Sequence, residues 1–163
     1  MLDEIKNHKH MSIKEVTAMF LTALTIGFIM SFRSWGREQL DVTMGLTTLI
    51  VLTIVAFAFI MVRTWTQKWI ALRMGYLTKY TIHKYTLPIS LFIVFFTNGI
   101  IPYVSPGDLK IQESKRLRLG AFRYGLNYGD LAIIGIAAPI SMILLMIIIK
   151  PIFLATGNAL IDK

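Results

Sequence analysis

Four stretches of this chain, Val16–Phe32, Thr43–Val62, Thr86–Val104 and Leu131–Ile149, contain no Asp, Glu, Lys, Arg or His. They are 17, 20, 19 and 19 residues long. A helix rises about 1.5 Å per residue, so roughly 20 apolar residues cover the ~30 Å hydrocarbon core of a bilayer. Four such blocks in 163 residues exclude an ordinary soluble domain, and the composition agrees: 55% hydrophobic, 16% charged. The expected fold is an all-α polytopic membrane protein, a single membrane domain over residues 1–163. About four transmembrane helices are expected, at 16–32, 43–62, 86–104 and 131–149. Around them lie a polar N-terminus (1–15), a helix extension with a short strand-like connector (63–85), a basic loop (105–130) and a C-terminal tail (150–163).

The N-terminus mixes Asp3, Glu4 and Glu15 with Lys6, Lys9 and Lys14 and shows no small-x-small cleavage pattern, so the first run reads as a retained helix. Ala23, Gly27 and Ser31 recur every four residues, which places small side chains on one face where another helix can approach. No proline or glycine interrupts Leu46 to Met74, so the second run predicts one helix of about thirty residues ending at Gly75. Trp65, Trp69 and Tyr76 suit a membrane–water boundary. The stretch Lys79–Thr86 is rich in Tyr, Thr and Ile and reads as strand. Pro88, Asn98, Gly99 and Pro102 predict a kinked or broken third helix, tolerated at membrane depth only where protein covers the freed backbone. Ser105-Pro106-Gly107-Asp108 predicts a turn. The fourth run opens with Gly135, Ala137, Ala138, Pro139 and Ser141, a second small-residue face.

Seventeen Lys and Arg against nine Asp and Glu give a net charge of +8. The basic residues flank the apolar runs, as headgroup anchors do. The partner implied is therefore the lipid bilayer, not nucleic acid. Lys110, Lys115, Arg116, Arg118 and Arg123 are the candidate headgroup contacts, in a segment expected to be a solvated loop or short interfacial helix. With four crossings, ten basic residues fall on the side of the N-terminus and seven on the other, a weak positive-inside signal.

Chemistry is sparse. Zero cysteines exclude disulfides, thiolate metal sites and thiol nucleophiles. The three histidines are His8, His10 and His83, and none lies in an apolar run. There is no phosphate-cradling glycine loop, nucleophile elbow or close carboxylate pair. No intramembrane charge marks an ion path.

The order of three segments nevertheless resembles a family. Arg63–Tyr76, then Ser105-Pro106-Gly107-Asp108-Leu109-Lys110-Ile111, then Ala137-Ala138-Pro139-Ile140-Ser141-Met142-Ile143, is similar to the core of the archaeal-type site-2 proteases, which are intramembrane zinc metallopeptidases. In that family a helix carrying His-Glu-x-x-His continues into a sequence like Ala-Gln-Arg-Tyr-Gly-Tyr, which Ala71-Leu72-Arg73-Met74-Gly75-Tyr76 matches. An Ala-Pro-Gly turn corresponds to Ser105-Pro106-Gly107, and an Ala-Gly-Pro-Leu-Thr-Asn motif to residues 137–142. By that correspondence the zinc histidines fall on Arg63 and Gln67, and the general-base glutamate on Thr64. An arginine has no lone pair to offer a metal, and the family's aspartate ligand has no counterpart. The resemblance thus implies a degenerate, non-hydrolytic member with no cofactor, in the cytoplasmic membrane of a prokaryote.

The function expected is that of a non-catalytic accessory or structural subunit of a membrane complex. Small faces at Ala23, Gly27 and Ser31 and at Gly135, Ala137, Pro139 and Ser141 would pack a second copy or other membrane subunits. The alternatives are a metalloprotease-like enzyme completed by another chain, for which only Arg63, Thr64, Gln67 and Asn98 offer polar groups, and a small membrane carrier.

Overall fold

The computed structural model describes residues 11–36, 41–82, 85–104, 107–113 and 127–161, with side chains of the last helix described to Pro151. Helix α1 (Ile13–Ser31) begins after Ser12, whose N–H donates to Glu15 Oε2 at 2.9 Å. The Ser-x-x-Glu spacing satisfies an orphan donor of the first turn. A single 3₁₀ turn, Phe32–Trp35, closes the helix. Helix α2 (Val42–Arg73) starts where Asp41 Oδ1 accepts from Met44 N–H at 3.1 Å, and stops where Gly75 adopts φ 82°. Only glycine takes that left-handed conformation without strain, so the stop follows from the residue. At 32 residues, α2 is about 48 Å long and overreaches the hydrocarbon core.

Strand β1 (Tyr76–Thr81) pairs antiparallel with β2 (Asp108–Glu113), from Tyr76 opposite Glu113 to Thr81 opposite Asp108. Between them lies helix α3 (Thr86–Phe96), only 11 residues. Helix α4 (Tyr128–Ile161) carries Pro139 and Pro151 inside it.

Helices α1 and α2 form an antiparallel hairpin. Gly27 meets Thr53, where an added Cβ would lie 2.9 Å from the Thr53 nitrogen, and Met19 and Ala23 pack with Ile60 and Tyr80. On the opposite flank of α2, Ala71 and Tyr76 pack with Ile134 of α4. The order across the bundle is therefore α1, α2, α4, with α2 central. The two-stranded sheet lies across α2 like a strap. Its Tyr76 end sits by α4, where Tyr76 Oη donates to Asp130 Oδ2 at 2.8 Å, and its Tyr80 end sits by Glu15 and Met19 of α1. Alternation decides which side chains are inside: Tyr76, Thr78 and Tyr80 are buried, while Lys79 is exposed.

Three helical segments, Ile13–Trp35, Val42–Arg73 and Tyr128–Pro151, are long and apolar enough to cross a membrane. Most of the large side chains exposed along them are Phe, Leu, Ile, Val and Met, as lipid-facing positions require. The fold class is a helical membrane protein with a short strand connector, as expected; of the four α-helices among the described residues three are long enough to span, and the fourth, α3, is shorter. The third run, 86–104, is a re-entrant hairpin. The pairing of Thr81 with Asp108 brings both ends of residues 82–107 to the same place, so this segment leaves the strap and returns to it. Its helical limb reaches the far end of α1, where Phe95 meets Phe28 and Phe32 with ring centroids 5.9 and 5.2 Å apart. Asn98 (φ 52°) and Gly99 (φ 72°) then reverse the chain against Phe32 and Arg33. Residues 102–104 return without regular structure toward Gly107, whose N–H donates to Tyr80 Oη at 3.1 Å.

Other boundaries shift for identifiable reasons. The extension after Val62 is continuous helix, as expected. The connector strand begins at Tyr76, three residues early, because strand follows directly on the Gly75 stop. Lys110, expected in a loop or interfacial helix, belongs to β2; its partner strand is some thirty residues away, so no local pattern shows the pairing. The tail from Lys150 continues α4 to Ile161.

Candidate functional site

The polar groups of the bundle converge where the strap crosses α2. Lys68 Nζ donates to Glu15 Oε2 at 2.9 Å, and the two side chains are 6% and 9% exposed. Glu15 Oε1 accepts the Tyr80 N–H at 3.2 Å. One carboxylate thus binds its own helix start, the central helix and the strap. A buried ion pair persists when further hydrogen bonds satisfy its remaining lone pairs, as they do here.

A second polar contact lies one helical face away. Gln67 Nε2 donates to the Ile134 carbonyl at 3.2 Å, both buried. Pro139 lacks an N–H, so α4 is weakened around the carbonyl of Gly135, the neighbour of Ile134. Gln67 gives α4 a donor from α2 at that weak turn. Thr64 is buried on the same stripe of α2, at 2% exposure, and Arg63 is half-buried. Asn98 does not approach Arg63, since it sits at the hairpin tip beside Phe32 and Arg33.

The residues singled out for packing divide. Ala23, Gly27 and Ser31 are all buried; Gly27 meets Thr53 and Ala23 packs with Ile60 of this chain's own α2, so that part of the face is occupied within the molecule. Ala137 and Ser141 are buried, Ser141 Oγ donating to the Ala138 carbonyl at 2.8 Å, whereas Gly135 and Pro139 are exposed. An added Cβ at Gly135 would meet nothing within 4 Å. Between α2 and α4 runs an apolar groove of about 590 Å³, lined by Val62, Thr66, Ile70, Ala137, Ser141 and Ile148 among others.

Of the candidate headgroup contacts, Lys110 is exposed on β2. Lys115, Arg116, Arg118 and Arg123 lie outside the described residues, as do His8, His10, His83, Ser105 and Pro106. Among the described residues no three His, Asp or Glu side chains come together.

Sequence reasoning missed Glu15, Lys68 and Tyr80. Lys68 was visible in principle: Ile60, Thr64, Lys68 and Ala71 recur at three- and four-residue steps and form one buried stripe. A charge on such a stripe needs a partner, and Glu15 is the acid nearest the apolar part of α1.

No family model, no curated protein and no solved structure matches the sequence.

Proposed function

We propose that this chain is a non-catalytic integral membrane protein that works as a structural subunit of a larger membrane assembly. One observation carries this reading. The tip and returning limb of the re-entrant hairpin span most of the depth of α1, from Phe32 back to the strap, yet their backbone is irregular and their side chains face outward. Ile100 is 68% exposed, Ile101 56% and Tyr103 44%. The N–H groups from Thr97 to Ile101 and that of Tyr103 find acceptors within the hairpin, but an irregular backbone leaves carbonyls over, and these cannot stand against hydrocarbon. Polar groups at that depth are met only by protein or trapped water, and the apolar side chains around them favour protein. A second membrane polypeptide seated along residues 97–104 supplies the cover.

The resemblance to site-2 proteases supports the non-catalytic half. At the positions equated with the zinc ligands and the base stand Arg63, Gln67 and Thr64, and Gln67 is committed to holding α4. The same resemblance points to the cytoplasmic membrane of a prokaryote. The test is site-specific photocrosslinking in the source membrane, with the crosslinker at Ile101 and, for comparison, at Ile147 on α4. A protein adduct at 101 and lipid adducts at 147 are expected. Lipid adducts alone at 101, with a monomer-sized particle in mild detergent, would reject the assembly reading.

A further inference from the structure

The outward face of the strap carries an arrangement that is unfavourable in isolation. Lys79 of β1 stands directly opposite Lys110 of β2, and both are exposed. Directly opposed side chains in an antiparallel pair have their Cβ atoms about 5 Å apart, and like charges there weaken the pairing. Nothing in the folding of the sheet requires lysines at both positions, since Thr81 and Gln112 serve on the same face. Asp108 shares this face, its Oδ1 already accepting the Leu109 N–H at 2.8 Å.

The position of the pair says what would resolve the repulsion. The strap packs on α1 at Glu15 and Met19, where the apolar part of that helix begins, so its outer face lies at headgroup level. Beside it, at the end of α2, the Arg73 guanidinium lies 3.7 Å from the centroid of the Trp69 ring, with both residues exposed. An indole covered by a cation is suited to the headgroup layer.

We infer that Lys79 and Lys110 form a docking site for the phosphate of an anionic phospholipid in the leaflet around the strap. A phosphate oxygen seated between two ammonium groups accepts hydrogen bonds from both and turns the repulsion into a bridge across the strands. The occupant is a lipid of the leaflet rather than a free anion, because β1 follows directly on α2 and packs against it, and the exposed residues near that end of α2 include Trp65 and Trp69. This inference concerns the strap alone and does not depend on the hairpin having a protein partner.

Native mass spectrometry of the full-length protein in detergent, titrated with phosphatidylglycerol or phosphatidylcholine, tests it. Wild type is expected to retain phosphatidylglycerol preferentially. K79Q/K110Q is expected to bind phosphatidylglycerol about 30-fold more weakly, while K150Q, at the other end of the bundle, keeps wild-type affinity. The double variant should melt no lower than wild type in phosphatidylcholine, since its repulsion is gone, and should lose the extra stability that phosphatidylglycerol confers. Absence of a lipid preference in wild type would overturn the inference, as would equal losses in K79Q/K110Q and K150Q, or a lower melting point for the double variant in phosphatidylcholine. Stabilisation of wild type by inorganic phosphate at matched ionic strength, equal to that from the lipid, would overturn the lipid as occupant.

Discussion

Lys68 Nζ and Glu15 Oε2, 53 residues apart in sequence, lie 2.9 Å apart and almost out of solvent, tying the first turn of α1 to the last part of α2. Removing one partner leaves the other charge buried and unpaired, which costs about 3–5 kcal/mol. Lys68→Met is therefore expected to lower the melting temperature in detergent sharply. Glu15→Gln/Lys68→Met, which leaves no charge, is expected to recover part of the loss, the remainder being the weakened contacts to Tyr80 and Ser12. A double variant as unstable as Lys68→Met alone would show that the pair is not coupled.

At Gly27, α1 closely approaches Thr53 of α2. A methyl group there would collide with Thr53 Oγ1 and lie 2.9 Å from its backbone nitrogen and 3.1 Å from its Cα. The backbone atoms cannot swing aside, so Gly27→Ala is expected to cost about 1–3 kcal/mol, and Gly27→Leu to abolish the helical hairpin. Thr53→Ala should restore only part of Gly27→Ala, because it removes the hydroxyl and leaves the backbone. Gly135→Ala, facing open space in a helix, should gain about 0.5–1 kcal/mol instead. Melting curves of the four variants check the series.

Gln67→Leu removes the donor that α2 offers to the Ile134 carbonyl. Interhelical hydrogen bonds in membranes contribute about 0.6–2 kcal/mol, and the expected loss of stability lies in that range. Hydrogen exchange should show the sharper effect, with faster exchange confined to α4 around Ile134 and Pro139. Unchanged protection there would mean that the contact does not hold the helix.

The re-entrant hairpin changes the sidedness of the molecule. With three crossings, Lys79 and Gln112 lie on one side of the membrane and Thr43 on the other. Arg33, Arg37, Lys150 and Lys163 belong to the Thr43 end by chain order, and the other thirteen of the seventeen basic residues belong to the strap end. The positive-inside rule then predicts the strap on the cytoplasmic side. The chain has no cysteine, so single Lys79→Cys, Gln112→Cys and Thr43→Cys variants report cleanly on an impermeant maleimide. In intact cells only Thr43→Cys should label. Opposite labelling of positions 79 and 112 would restore four crossings.

Much of the architecture was legible because membrane helices advertise themselves by composition. The long α2, its stop at Gly75 and the strand character after it follow from local residue types. The third run misled because its length and hydropathy match a span, although Asn98, Gly99 and Pro102 already signalled a break. Its return depends on Thr81 meeting Asp108, a contact between segments that carry no shared pattern. The polar node was hidden for a similar reason. Glu15 stands among mixed charges that look solvated, and only the packing of the strap shows it to be buried. Gly27 does sit at a close helix approach, but the spacing of Ala23, Gly27 and Ser31 alone does not say whose helix arrives.

The closure of the strap also sets an order of events during biogenesis. α1 and α2 can enter the membrane as each emerges, since a helix satisfies its own backbone. The segment from Thr86 to Val104 cannot do so as one helix, because its regular hydrogen bonding ends at Phe96 and beyond the turn only scattered bonds, such as Ile100 N–H to Thr97 and Tyr103 N–H to Ile101, remain. It has to wait at the surface until Asp108–Glu113 has been synthesised and β2 can zip onto β1. The hairpin then has to slide in along an α1 that is already seated. Tyr80, holding Glu15 by its N–H and Gly107 by its hydroxyl, is the point at which that late insertion locks.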